Sequence, residues 1–550
     1  MALSAYTSAT SRARKTPQTE QMLGENQVKN NAGGYVYALD MFKTLDRFLI
    51  LGTEGGTYYV KEQKLTKAAA KNVVACIQAD YKRTVDTIVA VSDAGRAPRN
   101  TPAEFALALA AADGRPEVRA YALAALPKVC RIPTHLYHFM QFVTDLRGFS
   151  RGLRNGIMRW LDAMPTDKLA FEFVKYQSRD GWSGADVLRL VHPVTAYPDR
   201  NAVYRWMLGK DSGPMTVTRG KGADARVSTY GGLTATRPEI INAFEAAKRA
   251  KDDPKELVRL INAHKLTREM LPTEGLQHAE VWQALLEIGM PLTALIRNLG
   301  NLGARGVLTP MSAASRLVVS RLADGEALRK SRVHPMAILI ALKTYQSGRG
   351  MRGSNTWNAV PAVVDALDTA FYASFQNVEP TGKRMLFGVD VSGSMSSAIS
   401  GFPITSAEAA GAMALICAKT EKDYYIHGFT DQFVDLGITP KMRLDQACRA
   451  VLKSNFGSTN AAVPFIWALR NKVDVDAVVV ITDSETWAGD THVKQALKAY
   501  RDGRGIAAKE VVMATTATEF TIADPNDPLT LDVVGFDTTA PAVIADFVRS

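Results

Sequence analysis

The hydrophobic period of this chain changes once, near Pro380, and that change demands two different folds in one molecule. From about Tyr35 to Phe375, apolar residues recur at spacings of three and four, with Pro or Gly between the segments. This is the pattern of amphipathic helices with marked ends. Thr101-Pro102 opens PAEFALALAAA, Pro116 opens PEVRAYALAAL, Pro133 precedes THLYHFMQFV, Pro238 opens PEIINAFEAAKRA, and AEVWQALLEIG closes at Gly289. Many short helices with short connections predict an α-solenoid or irregular helical array rather than one bundle. No repeat of fixed period is visible, which argues against a consensus TPR or ankyrin array and leaves a divergent HEAT-like stack. The stretch from Gly209 to Arg237 is rich in Gly, Ser and Thr and reads as a long loop or mobile insertion.

Beyond Pro380 strand-length and helix-length segments alternate. KRMLFGVDV, DYYIHGF, VDAVVVIT and KEVVMAT read as strands, separated by the helical SAEAAGAMALICAKT, RLDQACRAVL, NAAVPFIWALR and HVKQALKAYR. Fully apolar strands such as AVVVI need cover on both faces, so a doubly wound α/β domain with a parallel sheet is expected. Ligands of such sheets gather at the carboxyl ends of the strands.

Charge divides along the same boundary. Residues 1–365 carry 50 Lys and Arg against 33 Asp and Glu, whereas residues 366–550 carry 16 against 22, so the parts have net charges of +17 and −6. A basic part joined to an acidic one suggests that the first meets a polyanion and the second has another task. Hydrophobic residues at 47% and charged residues at 22% exclude a disordered or fibrous chain. No apolar run approaches the roughly 18 residues of a membrane-spanning helix, so no membrane association is expected. Four widely spaced cysteines, Cys76, Cys130, Cys417 and Cys448, form no CxxC unit and fit a reduced cytoplasmic setting. The Ser/Thr-rich, basic start lacks a secretory apolar core and reads as a partly disordered tail over 1–34. The expected division is therefore a tail over 1–34, a helical module over 35–375 and an α/β domain over 376–550.

The clearest chemistry follows the strand LFGVDV, where Asp390, Ser392 and Ser394 alternate in a small-residue turn. Thr459 lies at a loop-to-helix junction and Asp483 directly follows AVVVIT. Two carboxylates and several hydroxyls are hard oxygen ligands that suit Mg²⁺, with Mn²⁺ as an alternative, and leave open positions for water or a partner carboxylate. A lone D-x-S-x-S is equally a helix-capping turn. The three elements in this order resemble the metal-ion-dependent adhesion site of von Willebrand factor A domains, and all five positions match.

Longer segments carry a second resemblance. GTEGGTYYVKEQKL (52–65), VCRIPTHLYHF (129–139), RDGWSGADVLRLVH (179–192), MPLTALIRNLGNL (290–302), HPMAILIALKTYQSGRGMRG (334–353), ITDSETWAG (481–489) and FTIADPNDP (520–528) are similar to the Ro autoantigen family of TROVE-module proteins. Membership implies a ring of HEAT-like helical repeats closed by the A domain. It implies small noncoding Y-like RNAs bound on the outer surface and the single-stranded ends of misfolded RNAs in a central hole. It also implies association with an exoribonuclease such as polynucleotide phosphorylase in bacteria.

The family's Y RNA-binding Lys, Arg and His fall on Lys175, Arg179 and His192, around a GWS segment. Lys175 and Arg179 are four apart and are expected to share a helical face as a point charge and a planar fork for phosphates. His192, before Pro193, is expected to end a helix. Arg147, Arg151, Arg154 and Arg159 form a second run with no acidic residue between them, read as a phosphate stripe with 147, 151 and 154 on one face and Trp160 adjacent. Arg297, in LIRNLG, either lines the hole or caps a helix. The segment 209–237 departs from the helical, Lys/Glu-rich character of familiar animal members, which puts contacts made nearby in doubt.

Catalytic readings fail on their partners. His135 and His138 have no third ligand, so packing is favoured over zinc. Asp390 lacks the second acid and Lys of a phosphotransferase. Ser394 has no G-x-S-x-G context, and GRGMRG (348–353) lacks the Lys-Ser/Thr of a nucleotide loop. The reading is a monomeric, non-enzymatic RNA-binding protein, with a metal-dependent protein-adhesion scaffold as the alternative.

Overall fold

Proline at the first helical turn, where its missing N–H is not needed, opens the helices Thr101–Ala111, Pro116–Val129, Pro133–Arg147, Pro335–Gln346 and Pro361–Ala373. The computed structural model describes residues 15–52, 70–210, 215–219, 226–230, 237–331, 333–350, 354–375, 379–397, 404–453, 457–536 and 540–550. The family-like stretch 53–65 lies outside them. Within the helical module each helix packs on its near neighbours in sequence. Thr101–Ala111 lies against Pro133–Arg147, Pro116–Val129 against Arg151–Asp162, and Leu292–Ala304 against Pro335–Gln346. Such local stacking buries a continuous core without a repeat visible in sequence.

Segment 209–237 differs from the expected loop. Met215–Arg219 and Arg226–Tyr230 pair as an antiparallel hairpin in register Met215↔Tyr230 to Arg219↔Arg226. The β-branched alternation of MTVTR and RVSTY supplies the strand propensity, and the flanking glycines obscured it.

The C-terminal sheet runs in the order Thr530–Val534, Lys509–Ala514, Ala477–Thr482, Met385–Asp390, Tyr424–Phe429, Phe433–Asp435. The first five are parallel and the last is an antiparallel edge. The central strands Met385–Asp390 and Ala477–Thr482 are buried along their whole length, as a sheet covered on both faces requires.

The chain closes on itself by two routes. His334 accepts from Met336 N through Nδ1, so Nε2 carries the proton and donates to Arg96 O at 3.1 Å, joining the late helices of the array to the early ones. The α/β domain also touches both ends of the array. Arg47, in helix Met41–Leu51, donates to Thr518 O, Thr518 Oγ1, Phe520 O and Asp532 Oδ1. At the other end Lys343 pairs with Glu408 at 2.6 Å, Arg443 pairs with Asp365, and Leu444 N donates to Asp368 Oδ1 at 2.7 Å.

The expected tail over 1–34 needs correction for its described part. Gln27–Lys29 and Tyr35–Ala38 form a hairpin whose second strand pairs with Phe520–Thr521 of the α/β domain. Gln18 and Asn30 are buried there. The Asn30 side chain donates to backbone carbonyls of a loop at least 454 residues away, a partnership that no local pattern reveals.

Candidate nucleic-acid interface and cation site

Lys175 and Arg179 do not share a helical face. The helix Thr166–Lys175 ends at Lys175, whose ammonium sits 5.0 Å from the Tyr176 ring centroid. Arg179 belongs instead to a miniature hairpin, Ser178–Arg179 with Trp182–Ser183. Its turn is Asp180-Gly181, both at positive φ (52° and 81°), the preference of a two-residue hairpin turn of the Asp-Gly type. The DG of SRDGW was the available signal, and the helical spacing of Lys175 and Arg179 masked it. Trp182 Nε1 donates to Gln141 Oε1 at 2.9 Å and fixes the hairpin to helix Pro133–Arg147.

Arg179 keeps 59% of its side chain exposed and donates from Nε to His138 Nε2 at 3.3 Å. His138 Nδ1 is then the protonated nitrogen and donates to Glu104 Oε2 at 2.8 Å. Asp180 Oδ2 lies 3.2 Å from His138 Nε2 and becomes its acceptor only when the ring is doubly protonated. His135 lies 3.7 Å from the other oxygen of Glu104, which is wholly buried. His138 thus hydrogen-bonds a buried carboxylate that His135 also approaches, and among the described residues no group of three or more His, Cys, Asp or Glu could hold a metal ion.

His192 ends helix Gly184–Val191 as expected. It is exposed, adopts the left-handed conformation (φ 48°) and returns its N–H to Leu188 O. A capping box of Ser183 and Asp186 starts the same helix. Eight residues at 1.5 Å rise put Arg179 and His192 near opposite ends of a rod about 12 Å long. Arg154 Nε donates to Val191 O at 2.8 Å, so it secures the end that carries His192.

The expected single stripe of arginines is two separate features. Arg147 ends one helix, Gly148 turns the chain at φ 85°, and Arg151 begins the next. Arg147 donates to Ala112 O and Asp113 O, capping the end of helix Thr101–Ala111. Arg151 and Arg159 are exposed, whereas Trp160 is a core residue bonded to Cys130 O. Arg297 lies in the interior of helix Leu292–Ala304, exposed, and so caps no helix end.

The five oxygen-bearing residues of the α/β domain converge at the strand ends. Asp390, Ser392, Ser394, Thr459 and Asp483 are each 2% exposed or less. Parallel pairing of Val389 with Ile481 puts Asp390 beside Thr482, whose hydroxyl donates to Asp390 Oδ2 at 2.6 Å. Asp390 Oδ1 accepts from Ser392 N, Ser392 Oγ lies 3.0 Å from Ser394 Oγ, and Asp483 Oδ1 accepts from Glu485 N. The buried Asp483 Oδ2 has no hydrogen-bond partner among the described residues. Burial, reinforced by Asp483, pushes the Asp390 carboxyl up to about 7, and burial also raises Asp483. No basic side chain among the described residues pairs with either.

The N-terminal segment, absent from the sequence reading of this site, braces the loop that follows Asp483. Asn30 Nδ2 donates to Ser484 O and Thr486 O, while Asn31 Nδ2 and Ala32 N donate to the buried Glu485 carboxylate. A Cβ on Gly34 would meet Thr486 O at 2.0 Å, so only glycine fits there.

A stacked helical array tied at both ends to an α/β domain with an oxygen-rich strand-end site defines a TROVE module joined to a von Willebrand factor A domain. The TROVE domain model matches residues 28–213 and 259–344, and the Ro60 vWA domain model matches residues 384–548. The RNA-binding protein RO60 of Deinococcus radiodurans is 42% identical over 542 residues, covering 97% of each chain. That of Caenorhabditis elegans is 33% identical over 596 residues, covering 97% of this chain and 92% of the relative. The crystal structure of the Deinococcus radiodurans RO (RSR) protein matches with a TM-score of 0.69 and 41% identity, covering 93% of this chain and 99% of that one. The chain belongs to the Ro60 family, whose RNA-binding members support an RNA partner.

Proposed function

We propose that the protein binds RNA without cleaving it. A small noncoding Y-like RNA would lie on the surface around Lys175, Arg179 and His192, extended by the exposed Arg151 and Arg159. Single-stranded ends of misfolded RNAs would enter an opening enclosed by the helical array, so that the protein acts in cytoplasmic RNA quality control as a monomer. An exoribonuclease such as polynucleotide phosphorylase is the partner class that would act on the same RNAs. The observation that carries the reading is the placement of Arg179 and His192 at the two ends of one braced helix, with Lys175 ending the preceding helix. Hydrogen-bond donors held on separate elements, two of them cationic, match the spaced charges of a phosphate backbone. Ultraviolet crosslinking of the native protein is expected to recover RNA on peptides spanning 147–192. Recovery of a protein partner and no RNA would overturn it.

Asp483 Oδ2 favours a second task for the α/β domain. Two buried carboxylates with no basic partner among the described residues, two serine hydroxyls and Thr459 are a donor set that fits Mg²⁺ or Mn²⁺. Asp390, Ser392, Ser394, Thr459 and Asp483 would hold the ion. When bound it would neutralise the pair and offer an open position to a partner carboxylate, the chemistry of a protein-adhesion scaffold. A ligand present at 100 times its Kd stabilises a fold by about 2.7 kcal/mol. Thermal unfolding of the full chain should therefore shift upward with Mg²⁺ and return with EDTA, and Asp390→Asn should abolish the shift. An equal response in the variant would remove this site.

A further inference from the structure

A cavity of about 200 Å³ lies where the early and late helices of the array meet. Its floor comes from the junction of helices Tyr81–Ala94 and Thr101–Ala111, and its opposite wall from Leu292–Ala304 and Pro335–Gln346. Arg131 approaches from the first side and Arg297 from the second, and none of the described lining residues is acidic. Arg297 makes no hydrogen bond or ion pair among the described residues and projects an uncompensated guanidinium.

Arg131 is held in place. Its Nη1 donates to Ser92 Oγ at 3.0 Å and to Lys128 O at 2.9 Å. Ser92, 4% exposed, donates in turn to Asn100 Oδ1 at 2.6 Å. Asn100 Nδ2 donates to Glu104 Oε1 and Val129 O, so the Glu104 carboxylate stands one layer behind the wall, shared with His135 and His138. His334 is fixed as a neutral ring by its bonds to Arg96 O and Met336 N and adds no charge. Asn100, Thr293 and His334 lie at or beside the N-termini of three helices, each at least eleven residues long. Their dipoles add positive potential to that of the arginines. Ile296, Val333 and Pro98 supply an apolar side.

Two guanidiniums lining one pocket, with no acid among its described lining residues, select a doubly charged oxyanion. The volume falls below the roughly 300–1,000 Å³ of sites for drug-sized ligands, so it suits a phosphate with its sugar and excludes a folded oligonucleotide. We propose that this cavity binds a phosphate monoester between Arg131 and Arg297 and thereby ties the two ends of the helical array together. The monoester is either a free nucleoside monophosphate or the phosphorylated terminus of an RNA strand. The site shares no described lining residue with the surface at Lys175 and Arg179, so failure of either proposal leaves the other standing.

The test is calorimetric titration of the full chain with adenosine 5′-monophosphate, adenosine, and pentaadenylate with or without a terminal phosphate. Amide exchange is followed at residues 95–100 and 333–337. Both phosphorylated probes should bind and slow exchange on both sides of the seam, and adenosine should not. Arg297→Ala, at an exposed position without partners, should weaken binding about tenfold or more, the loss of one charge-assisted contact. Ala337→Phe, which fills the cavity and leaves both charges, should do the same. Binding of both phosphorylated probes supports a site open to free nucleotides, and binding of the phosphorylated oligomer alone supports an RNA terminus. Adenosine binding as well as its monophosphate, binding unchanged in Arg297→Ala, or no binding of either phosphorylated probe would overturn the proposal.

Discussion

Arg47→Ala is expected to destabilise the protein by about 3–5 kcal/mol, the consequence of removing one partner from a buried ion pair. Arg47 is 1% exposed and Asp532 5% exposed, with a 2.7 Å contact between them. Burial alone lowers the pKa of this guanidinium, and Asp532 opposes that shift. Without Arg47, Asp532 retains, among the described residues, only the Thr521 hydroxyl as a side-chain partner, and the carbonyls of Thr518 and Phe520 lose a shared donor. The bond joins the first helix of the array to the α/β domain, so the loss should be read at that junction. Urea unfolding of the single and double variants separates the pair from its surroundings: Arg47→Ala with Asp532→Asn should be less damaging than the two single losses added. A midpoint unchanged by Arg47→Ala would show that the two modules do not depend on this bridge.

The second large effect concerns RNA. Lys175→Ala with Arg179→Ala should weaken binding of a small structured RNA by about 3 kcal/mol or more, since each contact to a charged group contributes roughly 1.5–3 kcal/mol. That is about two orders of magnitude in affinity. The fold should survive. Arg179 is mostly exposed and Lys175 lies beside the rings of Phe171 and Tyr176 and the Glu172 carboxylate, whereas Trp182 and the Ser183 capping box hold the hairpin and helix. Gel shifts paired with circular dichroism check both statements. Unchanged binding by a folded variant would remove the assignment.

What the sequence made legible was local. Proline at first turns located helices, the runs LFGV and VVVI located central strands, and the D-x-S-x-S turn located one rim of the strand-end site. Asp483 was legible because it directly follows a strand of the parallel sheet, and Thr459 because it stands at a loop-to-helix junction. What escaped was decided by turns and by distance along the chain. Gly148 splits the arginine run between two helices, and Asp180-Gly181 sets Arg179 on a hairpin rather than on the helix of Lys175. Asn30 and Asn31 reach Ser484, Glu485 and Thr486 across most of the chain, and no period in a local window reports such a contact. Arg47 finds its acceptors at Thr518, Phe520 and Asp532, at least 471 residues along the chain, beyond the reach of any local pattern.

Salt dependence tests the central claim that cations of the helical module hold RNA phosphates. For the full chain and a fluorescent small RNA, log Kobs should fall linearly with log salt. Arg179→Ala should lower that slope by about one unit, and substitution of Arg147, which is committed to Ala112 O and Asp113 O, should change it less. An affinity insensitive to salt, or a slope identical in wild type and Arg179→Ala, would contradict the account.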